Sequence, residues 1–291
     1  MSDEIKKKKK KKKSFIKRLF SKTPTVPVLR FTGPIGMATP LNPGISLANT
    51  ADMIERAFED KKAKAIAVII NSPGGSPVQS MLIYKRLRAL AEENEKKIYV
   101  FTEDVAASGG YFIACAGDEI YADPSSIIGS IGVIAAGFGF DKAIEKLGVE
   151  RRVYTAGEKK LTLDSFQPEN PEDVARLKEL QKDIHATFKS VVTTSRGDKL
   201  TEEDLFTGEF WTGNKALELG LIDGLSDVRT KMRELFGDEV QLELIKPKKG
   251  LFGRSLPQGV MTDFSGFNGA QLTNQMISSL EERALWSRFG L

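Results

Sequence analysis

The sequence has very few of the residues that enzymes most often use to bind metals or to attack substrates. It contains one cysteine, Cys115, and one histidine, His185, among 291 residues. A single cysteine excludes an intrachain disulfide bond and a zinc site built from several cysteines. Because Cys115 lies in an apolar segment, we expect a small buried side chain and not a nucleophile. We expect neither a metal site nor a cofactor.

Long apolar runs are also absent from the sequence. No run approaches the roughly 20 residues that a membrane-spanning helix needs, so the sequence predicts none. The N-terminal residues lack the apolar core of a secretory signal, which argues against export by that route. The hydrophobic content of 41% is ordinary for a soluble globular protein. We therefore expect a cytoplasmic protein.

Positive charge is concentrated at the N-terminus. Residues 1–22 carry a net charge of +9, whereas residues 23–291 carry −5, which gives the chain its total of +4. Four apolar residues of this tail are spaced so that they would share one face of a short helix: Phe15, Ile16, Leu19 and Phe20. A basic run beside an apolar face is typical of a segment that binds an anionic membrane surface. We expect residues 5–22 to hold the protein on the inner face of the cell membrane.

Two other kinds of segment have a similar composition. A solvated disordered arm and an arm that binds nucleic acid are both rich in lysine. We prefer the membrane interpretation because aromatic and aliphatic residues interleave with the charges, as an interfacial helix requires. We expect no nucleic-acid partner.

Apolar runs and amphipathic segments alternate along the middle of the chain. Residues 65–70 form a continuous apolar run, which predicts a strand buried on both faces. The alternation predicts an α/β fold in which a mainly parallel sheet is covered by helices. The predicted division is a basic amphipathic tail, a folded domain, a linker rich in glycine and proline, and a C-terminal helical tail: residues 1–25, 26–245, 246–269 and 270–291.

Ser108 stands in the stretch A-A-S-G-G-Y, residues 106–111, between an apolar run and a short apolar helix. A serine at such a strand-to-helix elbow has its hydroxyl near backbone N–H groups, which can stabilise an oxyanion. The simpler interpretation is that Ser108 caps the helix. The neighbouring motifs are needed to decide between these two roles.

Two glycine-rich turns each follow a predicted core strand. They are S-P-G-G at residues 72–75 and S-G-G at residues 108–110. Sites in open α/β folds gather at the carboxyl ends of the strands. Gly75 and Gly109 are therefore candidates to point two N–H groups at one carbonyl oxygen, although S-P-G-G is also compatible with an ordinary type II turn.

A serine nucleophile needs a general base, and the sequence offers one histidine and many lysines as candidates. His185 lies next to Ile184 on the longest predicted helix, about 100° from its predicted apolar stripe, so we expect it to be exposed. This argues against a Ser-His-Asp triad. Lysine is the remaining candidate, and it must be neutral in order to accept a proton. Spacing alone does not choose between Lys159 and Lys160.

Four motifs of this sequence resemble those of the signal peptide peptidase A family in order and spacing. They are N-S-P-G-G at 71–75, A-S-G-G-Y at 107–111, G-S-I-G-V at 129–133 and G-x-x-K at 157–160. Two later segments, F-W-T-G at 210–213 and G-L-I-D at 220–223, also resemble that family. The resemblance covers about residues 26–245. Many members of that family carry a membrane anchor, whereas this sequence has a basic tail. Like the shorter members, it holds one copy of the domain.

The resemblance implies a fold, an activity and roles for five residues. The fold would be ClpP/crotonase-like and the activity that of a Ser–Lys peptidase. Ser108 would be the nucleophile, Lys160 the general base, and Ser130 a hydrogen-bond partner that orients the lysine. Gly75 and Gly109 would be the oxyanion donors. In the short members, the serine and the lysine of one site come from neighbouring protomers of a ring.

Three hypotheses for the function follow. The first is a serine endopeptidase that cleaves membrane-associated peptides such as remnant signal peptides. The second is a crotonase-like acyl-CoA enzyme, which would share the fold and the oxyanion hole but would use acidic catalysts. The third is a non-catalytic scaffold at a membrane surface. Labelling of Ser108 by a fluorophosphonate would support the first alone.

The tail should bind anionic vesicles, and salt should weaken the binding. The charge of the tail is opposite to that of the rest of the chain, and screening at physiological salt limits the attraction to about 8 Å. The apolar face should preserve part of the binding at high salt. Vesicle co-sedimentation of the full chain and of a form without residues 1–22 measures this. Equal binding by the two forms would refute the assignment.

Overall fold

The computed structural model describes residues 23–37, 44–201, 204–247 and 283–291. The basic tail at residues 5–22 lies outside the described residues, as do the linker from residue 248 onwards and the first part of the C-terminal tail. Strand β1 begins at Thr25 and the last strand ends at Leu244. The described strands thus fall almost entirely within the stretch that the sequence assigned to the folded domain.

The described strands form one eight-stranded sheet. In the order β6-β5-β3-β2-β1-β8, every neighbouring pair is parallel except the β5–β6 pair, and β4 pairs with both β3 and β7. The strands are β1 (Thr25–Thr32), β2 (Ala65–Ser72), β3 (Lys97–Ala107), β4 (Glu119–Ala122), β5 (Ile127–Gly129), β6 (Phe210–Thr212), β7 (Gly224–Leu225) and β8 (Gln241–Leu244). The prediction of a mainly parallel sheet covered by helices is confirmed.

Seven α-helices stand between or after these strands in the described ranges. They are α1 (Leu47–Glu59), α2 (Pro77–Glu93), α3 (Gly109–Ala114), α4 (Asp141–Lys146), α5 (Pro171–Arg196), α6 (Gly213–Glu218) and α7 (Val228–Phe236). Residues 283–287 add a further helical turn. None of the helices in these ranges is both long and apolar enough to cross a membrane.

Strand β3 is the centre of the sheet. Its eleven residues pair with β2 along one side; on the other side its first half pairs with β4 and its last three residues pair with β5. Apolar side chains point to both faces, so β3 is buried except near its start and at Glu103 and Asp104. Because β3 ends at Ala107, the next residue, Ser108, emerges at the carboxyl edge of the sheet.

Both faces of the sheet are covered, but by different parts of the chain. The large core cluster lies between one face and helices α1, α2, α3 and α5. On the other face, α7 inserts the fully buried Met232. Beside it, Phe289 packs on Val105 and Ala107 of β3, with its ring 5.1 Å from that of Phe210. The described end of the C-terminal tail thus covers the strand that leads to Ser108.

One segment differs from the rest in being almost wholly exposed. Residues 132–170, called here the arm, contain α4 and link β5 to α5, and every residue from 145 to 160 is exposed. Residues 151–155 have the composition of a strand, but they form none. A strand needs a partner, and in the described residues no strand pairs with this stretch.

The apolar stripe predicted for α5 is confirmed near the end of the helix, at Phe188 and Val191, and is wrong at Leu180 and Ile184. Its inward side chains include Phe188 and Val192, whereas Leu180 and Ile184 are 54% and 37% exposed. His185 is half-buried, so the expectation that it would be exposed is wrong. The N-terminal half of α5 belongs to the exposed arm side of the molecule, where apolar residues are not drawn inward.

A buried ion pair fixes the C-terminal end of α5. Arg196 is 1% exposed, and its guanidinium donates to Asp223 Oδ2 at 2.6 Å and twice to the Gly220 carbonyl at 2.9 and 3.0 Å. Lys199 donates to the other carboxylate oxygen at 2.7 Å, but its side chain is 47% exposed. Asp223 Oδ2 also accepts from the Ile120 N–H, which joins α5 to strand β4.

The charge state of Asp223 follows from these contacts. Burial raises the pKa of the carboxyl group, but the hydrogen bonds from Arg196, Lys199 and Ile120 outweigh it, so the pKa is lowered. A carboxylate with a lowered pKa in the folded state stabilises the fold above its unfolded pKa of about 3.9. This contribution is lost as the pH falls through the folded value.

Replacing Arg196 should therefore be costly. Arg196→Met should lower the free energy of unfolding by about 3–5 kcal/mol, because it leaves the Asp223 carboxylate without its buried partner. Lys199→Met removes a half-exposed partner of the same carboxylate and should cost less than about 1 kcal/mol. Urea unfolding at pH 7 measures both. The difference between wild type and Arg196→Met should narrow below about pH 4; a gap that stays constant would contradict the assignment.

Candidate active site

Ser108 is held in a conformation that serine rarely adopts. Its φ and ψ are 51° and −121°, it is half-buried, and it occupies the N-cap position of α3. Its side chain makes no capping hydrogen bond. Its backbone N–H donates to the Gly129 carbonyl at 2.8 Å and its carbonyl accepts from Phe112 N at 2.9 Å. The hydroxyl is thus presented at a strained elbow and does not cap the helix.

The two glycine-rich turns lie against each other. A Cβ on Gly74 would stand 2.7 Å from the Ser108 Cβ, and a Cβ on Gly109 would stand 3.3 Å from the Gly75 nitrogen. Gly75 has a φ of 139°, and a Cβ there would come within 2.2 Å of the Ile35 carbonyl oxygen. A side chain at Gly74 would push the two turns apart, and one at Gly75 would displace the Ile35 backbone that lies against it.

The amides of Gly75 and Gly109 are available to a ligand. Within the described ranges, neither N–H donates a hydrogen bond to the protein. Gly109 is the first residue of α3, where a helix leaves its N–H groups without partners. Two such donors beside a serine hydroxyl have the composition of an oxyanion hole.

The turn that contains Gly75 is braced by Ile35 and Asn71, two residues for which the sequence predicted no role. Ile35 N donates to the Gly74 carbonyl and Ser76 N donates to the Ile35 carbonyl, both at 2.8 Å. Asn71 joins β2 to β3, because its amide donates to Asp104 at 2.5 Å and accepts from Val105 N at 3.3 Å. The G-P-I-G break at residues 33–36 was the available signal for the first of these braces.

Ser130 lies on the neighbouring turn. It follows β5, which pairs with the end of β3, so that Gly129 stands opposite Ala107. Ser130 is 5% exposed, has a φ of 52°, and donates from its N–H to the Glu209 carbonyl at 2.6 Å. The sheet therefore brings Ser108 and Ser130 to adjacent strand ends.

Lys160 is placed differently from the other candidates. It lies in a turn of the arm, in the fully exposed stretch, and its side chain makes no hydrogen bond or ion pair with any described residue. The adjacent Lys159 pairs with Glu172 at 3.2 Å. No hydrogen bond joins Lys160 to Ser108 within this chain. The structure thus groups Ser108, Gly75, Gly109 and Ser130, and leaves Lys160 apart from them.

The single cysteine and the single histidine are also near this region. Cys115 is 2% exposed at the end of α3, and burial raises the pKa of its thiol to about 12, so it is not a thiolate nucleophile. His185 Nε2 lies 3.2 Å from the Ile131 carbonyl oxygen, directly after Ser130. The sequence reasoning missed this contact because it assigned His185 to the outer face of the helix.

Two family models match parts of the chain. The model described as Peptidase family S49 matches residues 91–241, which hold Ser108, Ser130 and Lys160. The model described as Clp protease matches residues 39–128, which hold both glycine-rich turns. The second match and the parallel sheet agree on a ClpP-like α/β fold.

Several known proteins are similar to the chain. A protein of Brucella abortus named Na(+)/H(+) antiporter NhaA is 55% identical over 286 residues, or 96% of this chain, yet the chain spans only 39% of that protein. A protein of Synechocystis whose name describes a protease is 36% identical over 206 residues, covering 68% of this chain and 74% of its own length. The chloroplastic serine protease SPPA of Arabidopsis thaliana is 33% identical over 202 residues, covering 68% of this chain and 29% of its own.

The strain at residue 108 should be measurable as stability. Ser108→Gly and Ser108→Ala both remove the hydroxyl, but only glycine adopts a φ of 51° with this ψ without steric cost. Such strain costs about 1–3 kcal/mol, against about 0.5–1 kcal/mol for the added flexibility of glycine. Ser108→Gly should therefore be more stable than Ser108→Ala by about 1 kcal/mol in urea unfolding. An alanine variant at least as stable as the glycine variant would count against strain at this elbow.

Proposed function

The chain belongs to peptidase family S49, and we propose that it is a serine endopeptidase in which Ser108 is the nucleophile and Lys160 the general base. The observation that carries the proposal is the elbow at Ser108. A strained serine with an unbonded hydroxyl stands beside two glycine amides that donate to no described residue. This arrangement suits attack on a peptide carbonyl.

The proposed reaction follows from these positions. The neutral amine of Lys160 takes the proton of Ser108 as Oγ attacks the carbonyl carbon of the peptide. The N–H groups of Gly75 and Gly109 stabilise the oxyanion that forms. The lysine then gives its proton to the leaving amine, which breaks the peptide bond and leaves an acyl group on Ser108. The same lysine then deprotonates a water molecule that attacks the acyl carbonyl, and it returns the proton to Ser108 Oγ as the ester bond breaks and the acid is released.

The contrast between the two adjacent lysines supports Lys160 as the base. The amine of Lys159 lies 3.2 Å from the Glu172 carboxylate and is engaged by it. Lys160 has no such partner among the described residues, so it remains available to a site elsewhere. Ser130, on the strand end next to Ser108, is proposed to orient the lysine by a hydrogen bond.

The exposed arm supports a site shared between protomers of a homo-oligomeric ring. Lys160 stands on the arm, whereas the serine and the two glycine amides stand on the sheet. Large apolar residues of the arm are open to solvent, among them Phe138 at 80%, Leu147 at 76% and Tyr154 at 91% exposure. Exposed apolar groups of this extent mark interaction surfaces. We propose that they pack on a second copy, whose Ser108 then meets Lys160.

The substrates proposed are peptides at a membrane surface, such as remnant signal peptides. The support is the charge of the tail, which would keep residues 5–22 on the anionic cytoplasmic leaflet while the body is acidic. The name of the Brucella relatives describes a transporter, but the chain matches 39% of their length, and the family model that matches this chain is that of a peptidase.

Single substitutions test the dyad. Ser108→Ala and Lys160→Ala should each abolish cleavage of a fluorogenic peptide, because each removes a group that forms or breaks a bond. Lys159→Ala is the matched control and should keep most of the activity. A fluorophosphonate should label wild type at Ser108 and leave Ser108→Ala unlabelled. Equal losses for Lys159→Ala and Lys160→Ala would remove the assignment of the base.

Mixing the two inactive variants tests whether the site is shared. When Ser108→Ala and Lys160→Ala are unfolded together and refolded at equal amounts, about one quarter of the sites in a head-to-tail ring should combine an intact serine with an intact lysine. Activity should return to about that fraction. If both residues of a site came from one chain, the mixture would stay inactive.

A further inference from the structure

The single histidine, His185, lies where the arm joins the rest of the domain, a region called here the neck of the arm and formed by residue 131 and helix α5. Ile131 directly precedes the arm, and His185 lies on α5, the helix that follows it. His185 Nε2 lies 3.2 Å from the Ile131 carbonyl oxygen, and this contact joins the two segments that connect the arm to the sheet. A backbone carbonyl only accepts hydrogen bonds, so the imidazole must be the donor. The Nε2–H tautomer and the imidazolium can both donate; the Nδ1–H tautomer cannot.

The turn at the neck also contains Ser130. Three further contacts hold this turn: Ser130 N donates to the Glu209 carbonyl at 2.6 Å, Gly132 N donates to the Ser130 carbonyl at 3.0 Å, and the Ile131 side chain is fully buried in the core cluster that also holds Phe188. The contact of His185 with the Ile131 carbonyl adds a hydrogen bond from α5, the helix whose first half belongs to the arm side. It therefore couples the position of the arm to the position of Ser130.

We propose that His185 is a positioning residue, which donates from Nε2 to the Ile131 carbonyl and so holds the Ser130 turn and the neck of the arm in one arrangement. Its catalytic consequence rests on the proposed function, because Ser130 matters to the rate only if it orients Lys160. His185 takes no part in proton transfer in this proposal. Its own ring does not touch the peptide.

Two substitutions separate the hydrogen bond from the bulk of the side chain. His185→Gln keeps a donor at nearly the place of Nε2, whereas the shorter amide of His185→Asn replaces Nδ1 and does not reach the carbonyl. Gln181→Ala is the matched control, since Gln181 is half-buried one turn earlier on the same face and bonds to no described residue. Thermal unfolding of all three variants checks that α5 is intact.

In the peptidase assay, His185→Asn should lower kcat about threefold to tenfold, the effect that one neutral hydrogen bond can have on a rate. KM should not change, because His185 binds no substrate. His185→Gln and Gln181→Ala should stay within about twofold of wild type. Equal kcat values for the asparagine and glutamine variants, or a loss confined to KM, would overturn the positioning role.

Two further measurements do not depend on activity. Since the chain has one histidine, the imidazole ¹⁵N spectrum belongs to it alone and should show a protonated Nε2 near neutral pH. Amide exchange at Ser130 should speed up about threefold to tenfold in His185→Asn and not in His185→Gln. If wild type cleaved no peptide, the proposed function would fail while these two results still decided this inference. An unprotonated Nε2, or equal exchange in the two variants, would refute it.

Discussion

The candidate site depends on how closely two parallel strand ends approach each other. Strands β2 and β3 both finish at the carboxyl edge of the sheet, and the turns that follow them touch at Gly74, Gly75, Ser108 and Gly109. A methyl group at Gly74 would stand 2.7 Å from the Ser108 Cβ, so this approach exists only because Gly74 has no side chain. The same lack of side chains leaves two amides open beside the serine. Close packing and chemical access therefore have one cause.

Much of this arrangement could be predicted because it is local in the sequence. Continuous apolar runs predict buried parallel strands, and a glycine-rich turn after each of two core strands predicts a site at the sheet edge. The residues that the motifs named at Gly75, Ser108, Gly109 and Ser130 stand at neighbouring strand ends. Their catalytic roles remain predictions, since no contact in the structure measures a role.

The buried face of α5 and the position of Lys160 could not be predicted from the sequence. Both depend on how a helix or loop is oriented against the rest of the domain. The periodicity of α5 is compatible with more than one buried stripe, and the exposed side of the arm allows Leu180 and Ile184 to face solvent. When Leu180 and Ile184 face solvent, His185 lies on the inward side of the helix. The isolation of Lys160 likewise has no sequence signal, because the motif gives its spacing along the chain and not the distance through space. Both features follow from an arm that leaves large apolar side chains such as Leu147 and Tyr154 exposed.

The packing of Phe289 affects the order in which parts of the domain fold. Phe289 covers Val105 and Ala107, the last apolar side chains before Ser108, from a position far along the chain. During synthesis, at roughly 5–20 residues per second, the strand with the serine emerges roughly ten seconds or more before the residue that covers it. Contacts between such distant residues also form late, since they require a long loop to close. The strand that leads to Ser108 would thus reach its final packing among the last steps of folding, after the rest of the sheet has assembled.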